Sequence, residues 1–193
     1  VAVTERPVLR PPRFGEFAEW QRAGEPLLVL DRIGNPHNLG AIARTAAFFG
    51  VPRMIIARNP QQAQPNDAAY RVAEGGLEHV QIFEVASLAP IVKQLREHFL
   101  VVGTSVHSGR NLDGAKPPRA PGRPVALLLG NEETGLDPRL ESLCELRVRI
   151  PGTDAVESLN VSAAAAILLH WISLARQHQT PLAPVRIQPP VKT

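Results

Sequence analysis

The chain has little cysteine, lysine or aromatic side chain: of its 193 residues one is Cys, one Met and one Tyr, and Phe, Trp and Tyr together make up 5%. The lone Cys144 can close no internal disulfide, which excludes a disulfide scaffold and fits a reducing cytosol. Long apolar runs are missing too. The best candidate, Ala163 to Leu169, stops at His170 and runs on into Arg176, well short of the roughly 20 residues a membrane span needs. No basic start, apolar stretch and small-residue cleavage site mark a secretory leader, so the expected location is cytoplasmic. Only Lys93, Lys116 and Lys192 are lysines, so arginine carries nearly all of the 21 positive side chains. Guanidinium is the better bidentate partner for phosphate, and this balance leans toward nucleic acid, although a GC-rich genome leaves the same bias. Several chemistries lack their motifs. No Walker loop or dinucleotide G-x-G-x-x-G is present, and Gly103-Thr104-Ser105-Val106-His107 has His where a nucleophile elbow needs its second glycine. The six histidines show no zinc-type spacing with Cys or carboxylates, so no metal is expected.

What is present alternates. Leu27 to Leu30, Met54 to Ala57, Val80 to Phe83, Phe99 to Gly103, Val125 to Leu129 and Leu146 to Ile150 are short apolar runs between turn residues, as expected of strands covered on both faces. Helical patterns are read at Phe14 to Arg22, Leu39 to Phe49, Leu88 to His98, Pro138 to Cys144 and Leu159 to His178. Strand then helix, repeated, predicts an α/β domain around a mainly parallel sheet. Residues 1–26 read as a basic, Pro-rich arm with Arg6, Arg10 and Arg13, residues 27–179 as the domain and residues 180–193 as a loose tail. A chain opening on Val1 reads as part of a longer gene product.

Three Asn- and Gly-rich stretches fall at the carboxyl ends of predicted strands, where open parallel sheets bind ligands. The first is Asn38-Leu39-Gly40-Ala41-Ile42-Ala43-Arg44, in which Asn38 is placed to cap the helix that follows. Leu129-Gly130-Asn131-Glu132-Glu133-Thr134-Gly135-Leu136 is the second, with Gly130 allowing close backbone approach and Gly135 a positive φ. Ile150-Pro151-Gly152 followed by Ser158-Leu159-Asn160-Val161-Ser162 is the third, with Ser158 as the expected helix cap. Read alone, these residues also allow a simple cap at Asn38, a solvated Arg44, a solvated Glu132-Glu133 pair and core roles for Ile150 and Leu159.

In order and spacing the three stretches resemble the SpoU (TrmH) family of RNA ribose methyltransferases, and the resemblance covers roughly residues 27 to 178. It implies an α/β-knot fold, with the C-terminal segment threaded through a loop, and a homodimer that completes the active site. It also implies transfer of a methyl group from S-adenosylmethionine to a ribose 2′-hydroxyl of tRNA or rRNA. Arg44 is then the principal catalytic residue, an electrostatic anchor for the developing alkoxide with the base role left open, and Asn38, Glu132 (with Glu133 as the neighbouring alternative) and Asn160 fix its direction and the substrate. The main chain at Gly130, Ile150 and Leu159 would hold the cofactor, with Ser158 and Asn160 at its reacting end. Thr104, Leu129, Asn131 and Gly135 would complete that site. An alternative is a domain of the same fold that binds RNA or cofactor without catalysis.

Overall fold

Four consecutive apolar residues in β1 (Leu27–Leu30) are buried because helices cover both faces of the strand: Leu28 and Leu30 join one core cluster, Leu27 and Val29 the other. In the computed structural model, which describes residues 9–106, 108–112, 120–153 and 155–177 and side chains as far as Leu174, β1 lies inside a seven-stranded sheet. Its companions are β2 (Arg53–Ala57), β3 (Gln81–Val85), β4 (Leu100–Thr104), β5 (Arg110–Asn111), β6 (Val125–Leu129) and β7 (Leu146–Arg149). The order is β3-β2-β1-β6-β4-β7-β5, and all pairings among the described strands are parallel. Arg6, His107, Asp154 and residues 178–193 lie outside the described residues.

One face carries α2 (Pro36–Phe48), α3 (Asp67–Ala73), α4 (Gly76–His79) and α7 (Val161–Gln177), packed through Leu39, Ile42, Ala69, Leu168 and Ile172. The other carries α1 (Glu16–Ala23), α5 (Leu88–Leu95) and α6 (Pro138–Glu141), packed through Trp20, Val92, Leu95 and Leu140. From β1 the chain steps outward to β2 and β3, then crosses to β4 and leaves between β1 and β4 the position that β6 later fills. The loops that leave β1, β6, β4 and β7 at their carboxyl ends are therefore neighbours, although they come from distant parts of the sequence.

From Arg10 onward the described chain is seated against the sheet. Arg10 bridges to Phe83 beside β3, its guanidinium lies 4.8 Å from the Phe83 ring centroid, and it bonds both Glu16 carboxylate oxygens at 2.8 and 2.6 Å. Trp20 of α1 then packs 5.0 Å from the Phe83 ring. α3, α4 and β5 are additions to the elements read from sequence. The last helix begins at Val161 rather than Leu159, and the Pro138 helix ends at Glu141 rather than Cys144.

Candidate functional site

A cleft of about 550 Å³ opens at the carboxyl ends of β6, β4 and β7. Thr104 ends β4, Leu129 ends β6, and Ile150 follows β7; all three line it, with Gly130, Asn131, Glu132, Gly135, Ser158 and Leu159. Eight of the nine residues expected to hold the cofactor thus line one cleft, and Asn160 is the exception. Leu159 is 44% exposed, so it is not a core residue. The Thr104 hydroxyl is turned back into the sheet, donating to the Leu128 carbonyl at 3.1 Å.

The loop after β6 is a closed turn. Asn131 and Gly135 exchange backbone hydrogen bonds of 3.1 and 2.9 Å, and the Asn131 side-chain oxygen accepts from the amides of Glu133 and Thr134. Gly135 has φ +68, the left-handed conformation expected for it. Gly130 is also crowded from within the loop. A Cβ there would sit 2.4 Å from the Gly135 carbonyl carbon and from the Leu136 nitrogen, inside the loop's own backbone.

Three of the four residues expected at the reacting centre form one hydrogen-bonded chain. Asn160 donates from Nδ2 to Asn38 Oδ1 at 3.1 Å, and Asn38 donates from Nδ2 to Glu132 Oε1. Asn38 is free to do so because it is not the cap of α2. The cap is Asn35, whose side chain accepts from the His37 amide at 2.8 Å, while Pro36 occupies the first helical position, where its missing N–H costs nothing. That leaves Asn38 inside the first turn, with its amide facing Glu132. At the other end of the chain the cap of α7 is Asn160 rather than Ser158: Asn160 Oδ1 accepts from the Ser162 amide at 2.9 Å and from the Ser162 hydroxyl at 2.6 Å.

Arg44 is not part of that cluster. It pairs with Glu74 at 2.9 Å, both side chains more than half exposed, and it does not line the cleft of its own chain. Ile42 and Ala46 on either side of it are fully buried, as the helical spacing requires.

Two residues that lie behind the cleft, outside its lining, have no counterpart in the sequence reading. Asp31 directly follows β1 and is 6% exposed, and Arg32 beside it donates to both Asp31 carboxylate oxygens at 3.1 and 2.9 Å. This bond raises the Arg32 pKa above the usual guanidinium value. A carboxylate directly after a fully apolar strand is a local signal for Asp31, whereas nothing local marks Arg32. Burial, and next the charge of Glu141, push the Cys144 thiol up to about 12, which disfavours the reactive thiolate. Among the described residues no group of three or more His, Cys, Asp or Glu side chains could hold a metal ion, and no helix is long and apolar enough to cross a membrane.

A parallel sheet with loops from separate strands closing on one cleft at their carboxyl ends defines an α/β ligand-binding domain of the doubly covered kind. The family is more specific. A model of the SpoU rRNA Methylase family matches residues 25–170, and the chain belongs to that family. The 23S rRNA (guanosine-2′-O-)-methyltransferase RlmB of Acinetobacter baylyi is 39% identical over 146 residues, 75% of this chain and 57% of that one. RlmB of Nitrosomonas europaea is 37% identical over 153 residues, 79% of this chain and 56% of that protein. Among solved structures, an AdoMet-bound rRNA methyltransferase from Sinorhizobium meliloti matches with a TM-score of 0.70 at 28% identity, over 81% of this chain and 57% of that one. The chain thus spans a little over half the length of these relatives.

Proposed function

We propose that this chain is the catalytic domain of an S-adenosylmethionine-dependent RNA methyltransferase acting on a ribose 2′-hydroxyl of tRNA or rRNA in the cytoplasm. The observation that carries this reading is the Asn160–Asn38–Glu132 chain, which ties all three sequence stretches together beside the cleft. The cleft suits the cofactor in size, falling within the roughly 300–1,000 Å³ of small-molecule sites, and in chemistry. Leu129, Ile150, Leu159 and Leu168 offer apolar walls for a flat base, and the loop backbones offer hydrogen-bonding groups.

When bound, S-adenosylmethionine supplies the electrophilic methyl group. The residues of the chain position the hydroxyl and stabilise the charge it develops. Glu132 and Asn160, linked through Asn38, hold one side of the reacting centre in a fixed geometry. The Arg44 guanidinium holds its proton too strongly to act as a base, so its role is to anchor the developing alkoxide and the adjacent phosphate. Because Arg44 lies outside the cleft of its own chain, a homodimer that brings it to a partner's cleft accounts for its place in the sequence pattern. In this reading residues 27–179 form the methyltransferase domain, the C-terminal segment is threaded as a knot, and no metal takes part.

A second reading, a domain that binds cofactor or RNA without catalysis, draws on the pairing of Arg44 with Glu74 away from the cleft. Calorimetry with S-adenosylhomocysteine and mapping of 2′-O-methylation in RNA from cells with and without the gene separate the two. Binding together with a methylation site that disappears with the gene supports the enzyme. Binding with an unchanged methylation map supports the silent domain.

A further inference from the structure

Arg32 is one of two residues other than glycine with positive φ among the described residues, at 58°. A side chain in that region is strained, and such residues persist where the surroundings hold them in place. The surroundings here are the loop that forms one wall of the cleft. Arg32 donates from Nη1 to the Thr134 hydroxyl at 3.2 Å and from Nη2 to the Gly135 carbonyl at 3.0 Å, while its own carbonyl accepts from Asn131 Nδ2 at 2.9 Å. Asp31 completes the grip, since the carboxylate oxygen that accepts from Arg32 Nη2 also accepts from the Asp137 amide at 2.8 Å. The loop after β1 therefore holds the loop after β6 at both of its ends. The backbone at Gly135 and Leu136 crowds Gly130, so where Arg32 pins Gly135 determines how much room is left at Gly130.

We infer that Arg32 is a positioning residue that holds the 130–136 loop in its cofactor-binding shape, acting on cofactor affinity rather than on the chemical step. The inference rests on the reading of the cleft as the S-adenosylmethionine site. Arg32 does not line that cleft, so it acts through the loop rather than by touching the ligand. Its left-handed backbone also indicates how to test it, because glycine accepts that conformation without strain and removes only the side chain.

The experiment measures S-adenosylhomocysteine binding by calorimetry on the full chain, with steady-state kinetics in S-adenosylmethionine. Arg32→Gly should melt within a few degrees of the parent, yet bind about tenfold more weakly, as loss of charge-assisted hydrogen bonds implies. KM for S-adenosylmethionine should rise in step, with kcat at saturation within about twofold, the pattern of lost uniform binding. Arg32→Asn, which also tolerates the left-handed region, should behave alike and gives a second variant if the glycine form does not fold. Arg32→Lys should fall between, because an ammonium cannot span both acceptors. Parental affinity in folded Arg32→Gly or Arg32→Asn overturns the inference while the reading of the cleft stands. A parent that fails to bind S-adenosylhomocysteine overturns that reading and the inference with it.

Discussion

At the scale of single residues the proposed function divides the site into groups that shape the cleft and groups that would act on substrate, and substitutions should separate them. Arg44→Ala removes a half-exposed side chain whose ion pair with Glu74 is of the solvent-exposed kind that contributes about 0–1 kcal/mol. Stability and S-adenosylhomocysteine affinity should stay near parental values while methyl transfer is lost. Arg44→Lys should fare little better, because a point charge does not reproduce the planar fork. Radiolabelled methyl transfer at saturating RNA is the check, and most of the turnover surviving in Arg44→Ala would remove Arg44 from the mechanism. Gly130→Val is the opposite case. Its Cβ would meet loop backbone at 2.4 Å, so the loop must move, cofactor affinity should drop by at least tenfold, and the melting temperature should fall as well. Calorimetry and thermal melting read the two effects; unchanged affinity would mean that the loop does not shape the cofactor site.

At the scale of elements, legibility in the sequence followed length and burial. β1 and β6 were readable to the residue because strands covered on both faces leave unbroken apolar runs. α3 was not, since Asp67–Ala73 makes about two turns of mostly small residues, too short for a helical period to stand out, and β5 is two exposed residues with no apolar face. The cap of α2 was misplaced for a local reason: Asn35 and Asn38 are both good caps, and Pro36 decides between them by fitting the first helical position. Arg32 was hidden more deeply, because a non-glycine left-handed residue is held by long-range contacts that leave no local pattern.

The seating of α1 carries a pH dependence of its own. The Arg10 hydrogen bond holds the Glu16 carboxyl well down, to about 2 from an ordinary 4.5, with the Arg13 amide adding to it. A carboxylate depressed in the folded state lends stability above its unfolded value, and that contribution fades as pH falls from about 4.5 toward 2. Glu16→Gln should therefore melt lower than the parent at pH 7 and about the same at pH 2. Thermal melting across that range tests it, and a constant gap between the two proteins would rule out Glu16 as the titrating group.

At the scale of the whole molecule, the proposed function requires Arg44 to meet a cluster that its own chain builds without it. Asn38, Glu132 and Asn160 are joined within one chain, and Arg44, six residues after Asn38 on the same helix, is paired with Glu74 instead. A two-fold dimer resolves this if each subunit lends its arginine to the other's cleft. Light scattering should then give about twice the chain mass of 21.0 kDa. Mixing tests the sharing directly. Arg44→Ala has an intact cleft and no arginine to lend; Glu132→Ala has the arginine and a damaged cleft. Each alone should be inactive, yet after subunit exchange half of the dimers are mixed, and each mixed dimer holds one complete site. Activity should recover to about a quarter of the parental rate. If exchange is confirmed by mass and no activity returns, each chain completes its own site and Arg44 must reach the cleft by a movement of α2 or of its side chain.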